Sequence, residues 1–505
     1  MKIRIRAASS LLPLLVSGAA VAGPVLEEVV VTAQLRQQSL QDVPIVVTAL
    51  SGELLSDAGV KDIKDLTVVT PGLLVTSSSK QANTTARIRG IGTVGDNPGL
   101  ESSVGVVIDG VPRARNGVSF GDLGEIERIE VLKGPQGTLF GKSTSAGVIN
   151  IITKKPSDEL ESIFEVGIGN EGFLRTSAEV TGPLSETVSG RLFGVYEERG
   201  GLLDVKTGNG PRTEDETSQY DFYSFRGQLL FEPSGDLEIL LSADYTDREE
   251  DCCMGDYIAV DPARGPLITL LAGGDGASAF PIDPFDRVAF ANRDATQTTE
   301  DWGVSANIEW QSGLGELTSI TSYRDWENGS GQDTDFSAAD LWYRDDETSR
   351  DAFATFSQEL RLAGATDNVD WQVGVFYANE TLDRTDFITY GNDYFFYFQQ
   401  LLLGASGGAF DLSSLPGNIY TGEANATADV YEQTADTYAI FTNNTFSLSD
   451  QFDLTVGLRY TIDEKTLESN FNGEAGSCTT ALAVFGPTGG LTPTLCLPWT
   501  NDNFV

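Results

Sequence analysis

Apolar and polar residues alternate with a period of two through much of the chain after Pro156. Residues 302–310 place two tryptophans, two branched aliphatic residues and an alanine on one face, and residues 452–460 repeat the pattern with the even positions apolar. Segments 174–182 and 237–245 follow it less regularly. This is the period of a β-strand with one apolar face. The alternation therefore predicts a β-protein, either a membrane barrel or a soluble sandwich.

The positions of the tryptophans and the lengths of the connections favour the barrel. Trp302 and Trp310 would lie roughly 26 Å apart along an extended strand, which suits an apolar band with aromatic residues at both rims. We predict about eleven strands between Ser162 and Lys465, joined alternately by tight turns and long loops as in outer-membrane barrels. The predicted turns are 183–187, 233–236, 312–315, 365–368 and 449–451, and the predicted loops are 200–221, 250–298, 329–350, 384–436 and 468 onward.

The sequence divides into four segments. Residues 1–22 have a basic start, an apolar centre and a small-residue cleavage site, which predict a secretory signal peptide. Residues 23–41 are short and extended, and are available either to pair with the sheet edge of another protein or to form the first strand of the next domain. Residues 42–156 mix short strands and helical turns around a glycine-rich stretch at 134–141, which indicates an α+β domain. Residues 157–505 hold the alternating strands of a partial barrel.

The expected fold class is an all-β membrane barrel with the N-terminal α+β domain as a plug inside its lumen. Barrels with a plugged lumen have about 22 strands. An open barrel edge in lipid would leave backbone groups unpaired, at a cost of several kcal/mol each. We therefore expect 22 strands in the complete barrel, and a chain truncated after about half of it.

Composition excludes several classes of function. The formal net charge of −41 argues against a nucleic-acid partner. No apolar run is long enough to cross a bilayer as a helix. Histidine is absent, which removes serine–histidine and cysteine–histidine catalysis and the commonest metal ligand. The sequence thus predicts a protein that is not an enzyme, although it leaves a site made of carboxylates alone open.

The four cysteines form two pairs along the chain. Cys478 and Cys496 could close a disulfide loop in an oxidising compartment, which the chain-entropy model values at about 3 kcal/mol. The state of the adjacent Cys252 and Cys253 stays open. The spacing that binds zinc, with two residues between cysteines, is absent, so we predict no metal site.

Five short motifs carry a family resemblance. They are EVVVTA at 28–33, RIRGIG at 87–92, VIDGVP at 107–112, IERIEVLKGPQGTLFG at 126–141 and GVINIITKKP at 147–156. The first resembles the energy-coupling box, called the TonB box, of TonB-dependent outer-membrane receptors. The other four resemble the plug-domain signatures of that family.

This resemblance implies active import across the bacterial outer membrane. The partners it implies are the C-terminal domain of TonB, the ExbB/ExbD energy complex acting through TonB, and the outer-membrane lipid, and it implies no cofactor. The ligand it implies most often is a ferric siderophore, while receptors for cobalamin and oligosaccharides share the same signatures. A passive porin-like channel is an alternative from another class, but it has no use for a plug and a coupling box. A surface adhesin is a third alternative, favoured only if the long loops bind a partner without transport.

Candidate site residues follow from the resemblance and from residue chemistry. The TonB-binding residues are Glu28, Val29, Val30, Val31, Thr32 and Ala33. Candidate ligand-binding residues lie in the plug loops 77–83 and 113–116 and in a long loop of the barrel, and are Arg113, Arg115, Asn116, Trp342 and Tyr343. The aromatic residues could stack on a catecholate or a sugar, and packing within the loop explains them equally well.

Overall fold

The computed structural model describes residues 30–77, 80–95, 97–119, 124, 126–252, 254–255, 265–278, 285–405, 425–449 and 451–472. The predicted signal peptide, the box residues Glu28 and Val29, and Cys253, Cys478 and Cys496 lie outside these ranges. Within them, no helix is both long enough and apolar enough to cross a membrane.

Residues 46–153 form a compact α+β domain built on one five-stranded sheet. The strand order is β3-β8-β9-β6-β7, with β6 and β9 parallel and the other neighbours antiparallel. The elements are β3 (Val46–Ser51), α1 (Gly52–Ala58), α2 (Leu66–Val69), β4 (Leu73–Thr76), β5 (Thr85–Ile88), β6 (Val104–Ile108), β7 (Val111–Pro112), β8 (Ile126–Lys133), α3 (Gly137–Phe140) and β9 (Gly147–Thr153), with 3-10 helices at Ile63–Asp65, Gln81–Asn83 and Asn116–Ser119. We call this domain the plug.

Local sequence explains why the plug begins as a strand followed by a helix. The Ser51 side chain accepts a hydrogen bond from the backbone N–H of Leu54, which caps the start of α1. Gly59 ends the helix in the left-handed region, with φ of 72°. The apolar face of α1 and the inner faces of the sheet then share one core that includes Leu55, Val131 and Ile149.

A short hairpin precedes the plug. It consists of β1 (Val30–Val31) and β2 (Gln38–Ser39), which pair antiparallel. The hairpin packs against the plug rather than extending away from it, because Val31 belongs to the same apolar cluster as Leu132 and Val148.

Eleven long antiparallel strands follow the plug, as the alternation predicts. They are β10 (Glu161–Ile168), β11 (Leu174–Ser185), β12 (Val188–Arg199), β15 (Tyr220–Ser234), β16 (Leu237–Asp251), β18 (Thr296–Ser312), β19 (Gly315–Ser330), β22 (Arg350–Ala365), β23 (Val369–Tyr390), β24 (Asn425–Ser449) and β25 (Phe452–Asn472). Among the described residues β10 and β25 each pair with one neighbour, so these strands form an open arc of barrel wall.

The two faces of the wall differ as period-two alternation requires. On β18, Val304 is 49% exposed and Trp310 47%, while Thr299 and Asp301, at odd-numbered positions of the same strand, are buried on the opposite face. The apolar face points away from the plug, and the polar face points toward it.

All five predicted tight turns connect consecutive strands of the wall. The prediction for the loop at 384–436 was too long, because β23 continues to Tyr390 and β24 begins at Asn425. The outer parts of these strands carry polar residues on both faces. The alternation of apolar and polar residues therefore ends before the strands themselves end.

The long connections carry structure of their own that the sequence pattern did not reveal. Its elements are β13 (Leu203–Lys206), β14 (Glu216–Thr217), α4 (Gly265–Ala272), a 3-10 helix at Gly274–Ser278, β17 (Val288–Phe290), β20 (Gln332–Asp333), β21 (Trp342–Arg344) and α5 (Tyr394–Ala405). Tyr390, Tyr394 and Leu341 form the centre of an apolar cluster among these loops. The loops therefore pack on one another at the outer end of the wall.

Candidate functional site

The segment that contains the described part of the predicted coupling box is docked on the plug. We call residues 30–39 the coupling segment. Val31 is fully buried, Ala33 is nearly so, and Val30 is 43% exposed. Thr32 turns the chain by accepting a hydrogen bond at its carbonyl from the Leu35 N–H, at 2.8 Å. In this state the box cannot add to another sheet along its whole length, because one face of it is covered.

A buried carboxylate holds Thr32 in place. Glu130, on β8, is fully buried and accepts hydrogen bonds from the Thr32 N–H at 2.8 Å, from Arg128 Nε at 2.8 Å and from Asn150 Nδ2 at 3.2 Å. A buried charge is tolerated only when it has such partners. Docking of the coupling segment therefore supplies one of the hydrogen bonds that the buried Glu130 carboxylate requires.

Arg36 ties the same segment to the barrel wall. Its Nε donates to Gln372 Oε1 at 3.1 Å, and its Nη2 donates to the Asn443 carbonyl at 3.1 Å. Burial lowers the pKa of Arg36, against the opposing effect of the Asp370 carboxylate. The coupling segment thus contacts both the plug and strands β23 and β24.

At the end of the plug opposite the coupling segment, Arg115 joins the plug to the wall. Its Nη1 lies 3.0 Å from Glu380 Oε1, and both side chains are about 95% buried. The Arg115 Nε donates to the Pro98 carbonyl at 2.8 Å, and the guanidinium carbon lies 5.1 Å from the centre of the Phe353 ring. Arg115 is thereby placed to fix the plug rather than to project into solvent.

Asn116 is used within the plug. Its Oδ1 accepts from the Ala86 N–H at 3.1 Å, and its Nδ2 donates to the Val104 carbonyl at 2.8 Å. This side chain therefore joins two strands of the plug, and any effect it has on a ligand would pass through the loop that it orders.

Arg113 lies between the plug and strands β16, β18 and β19. Burial, reinforced by the nearby Arg324 guanidinium, lowers the pKa of Arg113 to about 9, so the side chain stays protonated at neutral pH. The carboxylates of Asp244 and Asp301 oppose that shift. Its Nε and Nη1 find no hydrogen-bond partner among the described residues.

Lys80 forms a plug-to-wall contact that sequence reasoning did not identify. Its Nζ lies 2.5 Å from Asp351 Oδ2, and the Asp351 side chain is fully buried. Burial lowers the pKa of Lys80, while Asp351 acts in the opposite direction. Arg384 and Asp386 continue the network along β23, and Arg344 joins it from β21 with Nε 2.8 Å from Asp386 Oδ1. Two residues 271 positions apart give no local signal of such a pair.

Trp342 and Tyr343 lie in the outer loop cluster. The ring contacts described below join them to other loop residues, and not to the plug residues Arg115 and Asn116. The Trp342 ring meets the Tyr394 ring edge-on at 5.5 Å. The guanidinium of Arg293 lies 4.0 Å from the centre of the Tyr343 ring. Both aromatic side chains are half-buried, so each keeps an accessible part.

Two further observations concern metal binding and the cysteines. In the described part of the chain, no group of three or more acidic or cysteine side chains is arranged to hold a metal ion. Cys252 is disulfide-bonded, while the predicted pair of Cys478 and Cys496 lies outside the described residues.

Comparison with known proteins identifies the family of the plug. The model of the TonB-dependent Receptor Plug Domain matches residues 39–148, which run from the end of β2 to the start of β9. These residues form a plug domain of the TonB-dependent receptor family. The chain is similar to the pesticin receptor of Yersinia enterocolitica, with 25% identity over 83% of the chain and 53% of the relative. It is also similar to the ferripyoverdine receptor of Pseudomonas aeruginosa, with 30% identity over 41% of the chain and 24% of the relative.

Solved structures show the same fold for plug and wall together. The ferric yersiniabactin uptake receptor FyuA from Yersinia pestis superimposes with a TM-score of 0.65 at 18% identity, over 86% of this chain and 58% of that chain. The ferripyoverdine receptor from the outer membrane of Pseudomonas aeruginosa gives 0.60 at 17% identity, over 88% and 55%. The chain thus shares the fold of the plug and part of the barrel wall with these proteins, and it spans about half the length of the pesticin receptor that it matches.

Proposed function

We propose that the receptor imports a ferric siderophore across the outer membrane with energy transmitted by TonB. The observation that carries the proposal is the coupling segment, which docks on the inner side of a plug that is itself tied to the barrel wall. Relatives with this plug include proteins named as receptors for ferripyoverdine and ferrienterobactin. A passive channel would have no need of a plug held at both ends. The proposed role is transport, and catalysis has no part in it.

In this proposal, TonB pairs with the coupling segment by strand addition. The exposed edge of Val30 offers the first contact, and main-chain hydrogen bonds supply the affinity. The buried parts, Val31 and Ala33, then have to leave their apolar cluster before pairing extends through the box. The contacts of Thr32 with Glu130 and of Arg36 with the wall resist that step.

A proline at Val30 tests energy coupling. We expect Val30→Pro to abolish uptake of the transported ligand and to leave its surface binding intact, because proline removes a main-chain donor from the added strand. The measurement is accumulation of a panel of radioiron-labelled siderophores by cells that express the receptor, with binding measured on de-energised cells. Val30→Ala, which keeps the N–H, serves as the control. Uptake that is insensitive to the proline would show a passive channel, and a receptor that takes up no ferric chelate would direct the search to cobalamin and oligosaccharides.

We further propose that the ligand is selected by the outer loops, with Trp342 and Tyr343 in direct contact and with Arg113, Arg115 and Asn116 acting from the plug. We expect Tyr343→Ala to weaken surface binding by about ten-fold, since loss of one aromatic contact is worth about 1–1.5 kcal/mol. Tyr343→Phe, which keeps the ring over Arg293, should bind like the unmodified receptor. Equal affinity for all three proteins would remove Tyr343 from the site.

A further inference from the structure

A large polar cavity separates one side of the plug from the barrel wall. It has a volume of about 890 Å³ and is lined on the plug by residues such as Val107, Gly110 and Pro112, and on the wall by residues such as Asn307, Thr318 and Ala363. Its size falls within the range of pockets that hold drug-sized ligands. The cavity therefore has room for a molecule, not only for ordered water.

The coupling segment lies across one end of this cavity. Thr32, Leu35, Arg36 and Gln37 belong to its lining. The tight turns at 312–315 and 365–369 lie at the same end, because Gly315 and Ala365 also line it. Short turns mark the periplasmic side of an outer-membrane barrel. The hydrogen bonds of Arg36 to Gln372 and Asn443 thus hold a strap over the periplasmic mouth.

The turn between β6 and β7 closes the cavity toward the outside. Gly110 has φ of 81° and contacts the wall so tightly that a Cβ on it would lie 2.6 Å from Ile320 Cδ1. Next to it, Asp109 pairs with Arg226 on β15. The Gly110–Ile320 contact and the Asp109–Arg226 ion pair thus lie between the cavity and the outer half of the lumen.

The plug is seated on the wall at the far edge of this cavity. A Cβ on Gly457 of β25 would lie 2.8 Å from Thr138 Cγ2, and one on Gly141 would lie 2.8 Å from Arg459 Nη2. Here the helix α3 and strand β25 are in direct contact, and Phe140 and Arg459 also line the cavity. The space between plug and wall thus extends from β18, β19 and β22 as far as this contact.

The walls of the cavity suit a hydrophilic cargo. Charged side chains of both signs line it, including Arg128, Arg361, Glu309 and Glu359. Such a surface can exchange hydrogen bonds with a polar chelate or with water, while apolar side chains such as Leu139, Phe140 and Ile152 line the rest of the space.

We propose that the imported ligand leaves the lumen through this cavity, between the plug edge at β7 and the wall strands β18, β19 and β22. Tension on the coupling segment withdraws Arg36 and uncovers the periplasmic mouth. Displacement of the turn at residues 108–111 from Ile320 opens the outer end, while α3 stays on β25. The proposal rests on the import function proposed above and adds a route to it.

Tryptophan scanning at two adjacent positions tests the route. Asn307 lines the cavity, and its Oδ1 accepts no hydrogen bond from a described residue, so its replacement removes little. Ala306, the next residue on β18, lines the outward apolar surface instead. We expect Asn307→Trp to lower ligand uptake by about ten-fold or more, because the width of a path limits passage, with surface binding unchanged. Ala306→Trp should transport like the unmodified receptor.

A second pair of variants tests whether a loss of uptake comes only from a folding defect at β18. Ala363→Trp places the ring in the cavity from β22, and Leu362→Trp is its neighbour on the opposite face. Surface binding and the amount of receptor in the membrane report folding for all four variants. Normal uptake by folded Asn307→Trp and Ala363→Trp would overturn the route and leave import intact. An unmodified receptor that accumulates ligand without proton-motive force would instead overturn the import proposal, and if the panel shows cobalamin or an oligosaccharide as the cargo, the four variants are scored with that cargo.

Discussion

Replacement of Glu130 by alanine is expected to release the coupling segment from the plug without any ligand present. The carboxylate accepts from the Thr32 N–H and from Arg128 and Asn150, and its removal takes this acceptor away from the Thr32 N–H of the docked segment. Hydrogen bonds to a charged group are worth about 1.5–3 kcal/mol, which shifts the equilibrium between docked and released segments by about ten-fold or more.

The measurement is the reaction of a cysteine at Val31 with a membrane-impermeant thiol reagent. Val31 is fully buried in the docked state, so a Val31→Cys receptor should react slowly, and addition of Glu130→Ala should accelerate the reaction. Glu127→Ala is the matched control, because Glu127 lies on the same strand and pairs with Arg128 at the surface, where an ion pair contributes little. The same protein without the cysteine at position 31 gives the background. Equal rates for the two alanine variants would show that Glu130 does not hold the segment.

Separation of Arg115 from Glu380 is expected to destabilise the plug inside the barrel more than loss of any exposed ion pair. Both side chains are about 95% buried, and removal of one partner of a buried pair typically costs about 3–5 kcal/mol, because the other charge stays buried without compensation. Arg115→Ala should therefore lower the denaturant concentration at which the plug unfolds in detergent-solubilised receptor.

The chain offers a matched comparison for this experiment. Lys61 and Glu165 also join the plug to the wall, at 3.7 Å, but both side chains are more than 30% exposed. Lys61→Ala should change the free energy of unfolding by less than about 1 kcal/mol. The double replacement of Arg115 and Glu380 by leucine should recover much of the stability lost by Arg115→Ala, since no charge is left buried. A double variant as unstable as Arg115→Ala would assign the loss to packing against Phe353 instead.

Much of the fold could be predicted from local patterns in the sequence. Period-two alternation predicted the eleven wall strands and the turns between them, because a strand with one face on lipid and one on a polar lumen must alternate. The prediction failed where the two faces of a strand no longer differ in their surroundings. The outer parts of β23 and β24 stand between two aqueous surfaces, and the helices α4 and α5 form only because several loops supply them with a common apolar cluster.

The candidate sites were less accessible from sequence. The box motif predicts a coupling role for residues 28–33, but it gives no sign that Thr32 bonds to Glu130, which lies 98 residues away. One local signal existed, since Glu130 is a lone carboxylate at an inward position of the apolar strand β8 and so required a buried partner. Arg115 was predicted to face a ligand because it lies in a plug loop, and only the folded chain brings Glu380 to it.

The lengths of β23 and β24 set how far the wall reaches. These strands contain 22 and 25 residues, and at about 3.3 Å per residue the longer one extends for roughly 80 Å. Even at a tilt of about 45° it is much taller than a hydrocarbon layer of about 30 Å. If the chain imports a ligand across the outer membrane as proposed, the upper part of the wall stands above the bilayer. Under that proposal, molecules arriving from the medium first meet the wall in free solution, beyond the reach of the lipid headgroups, before they come near the plane of the membrane.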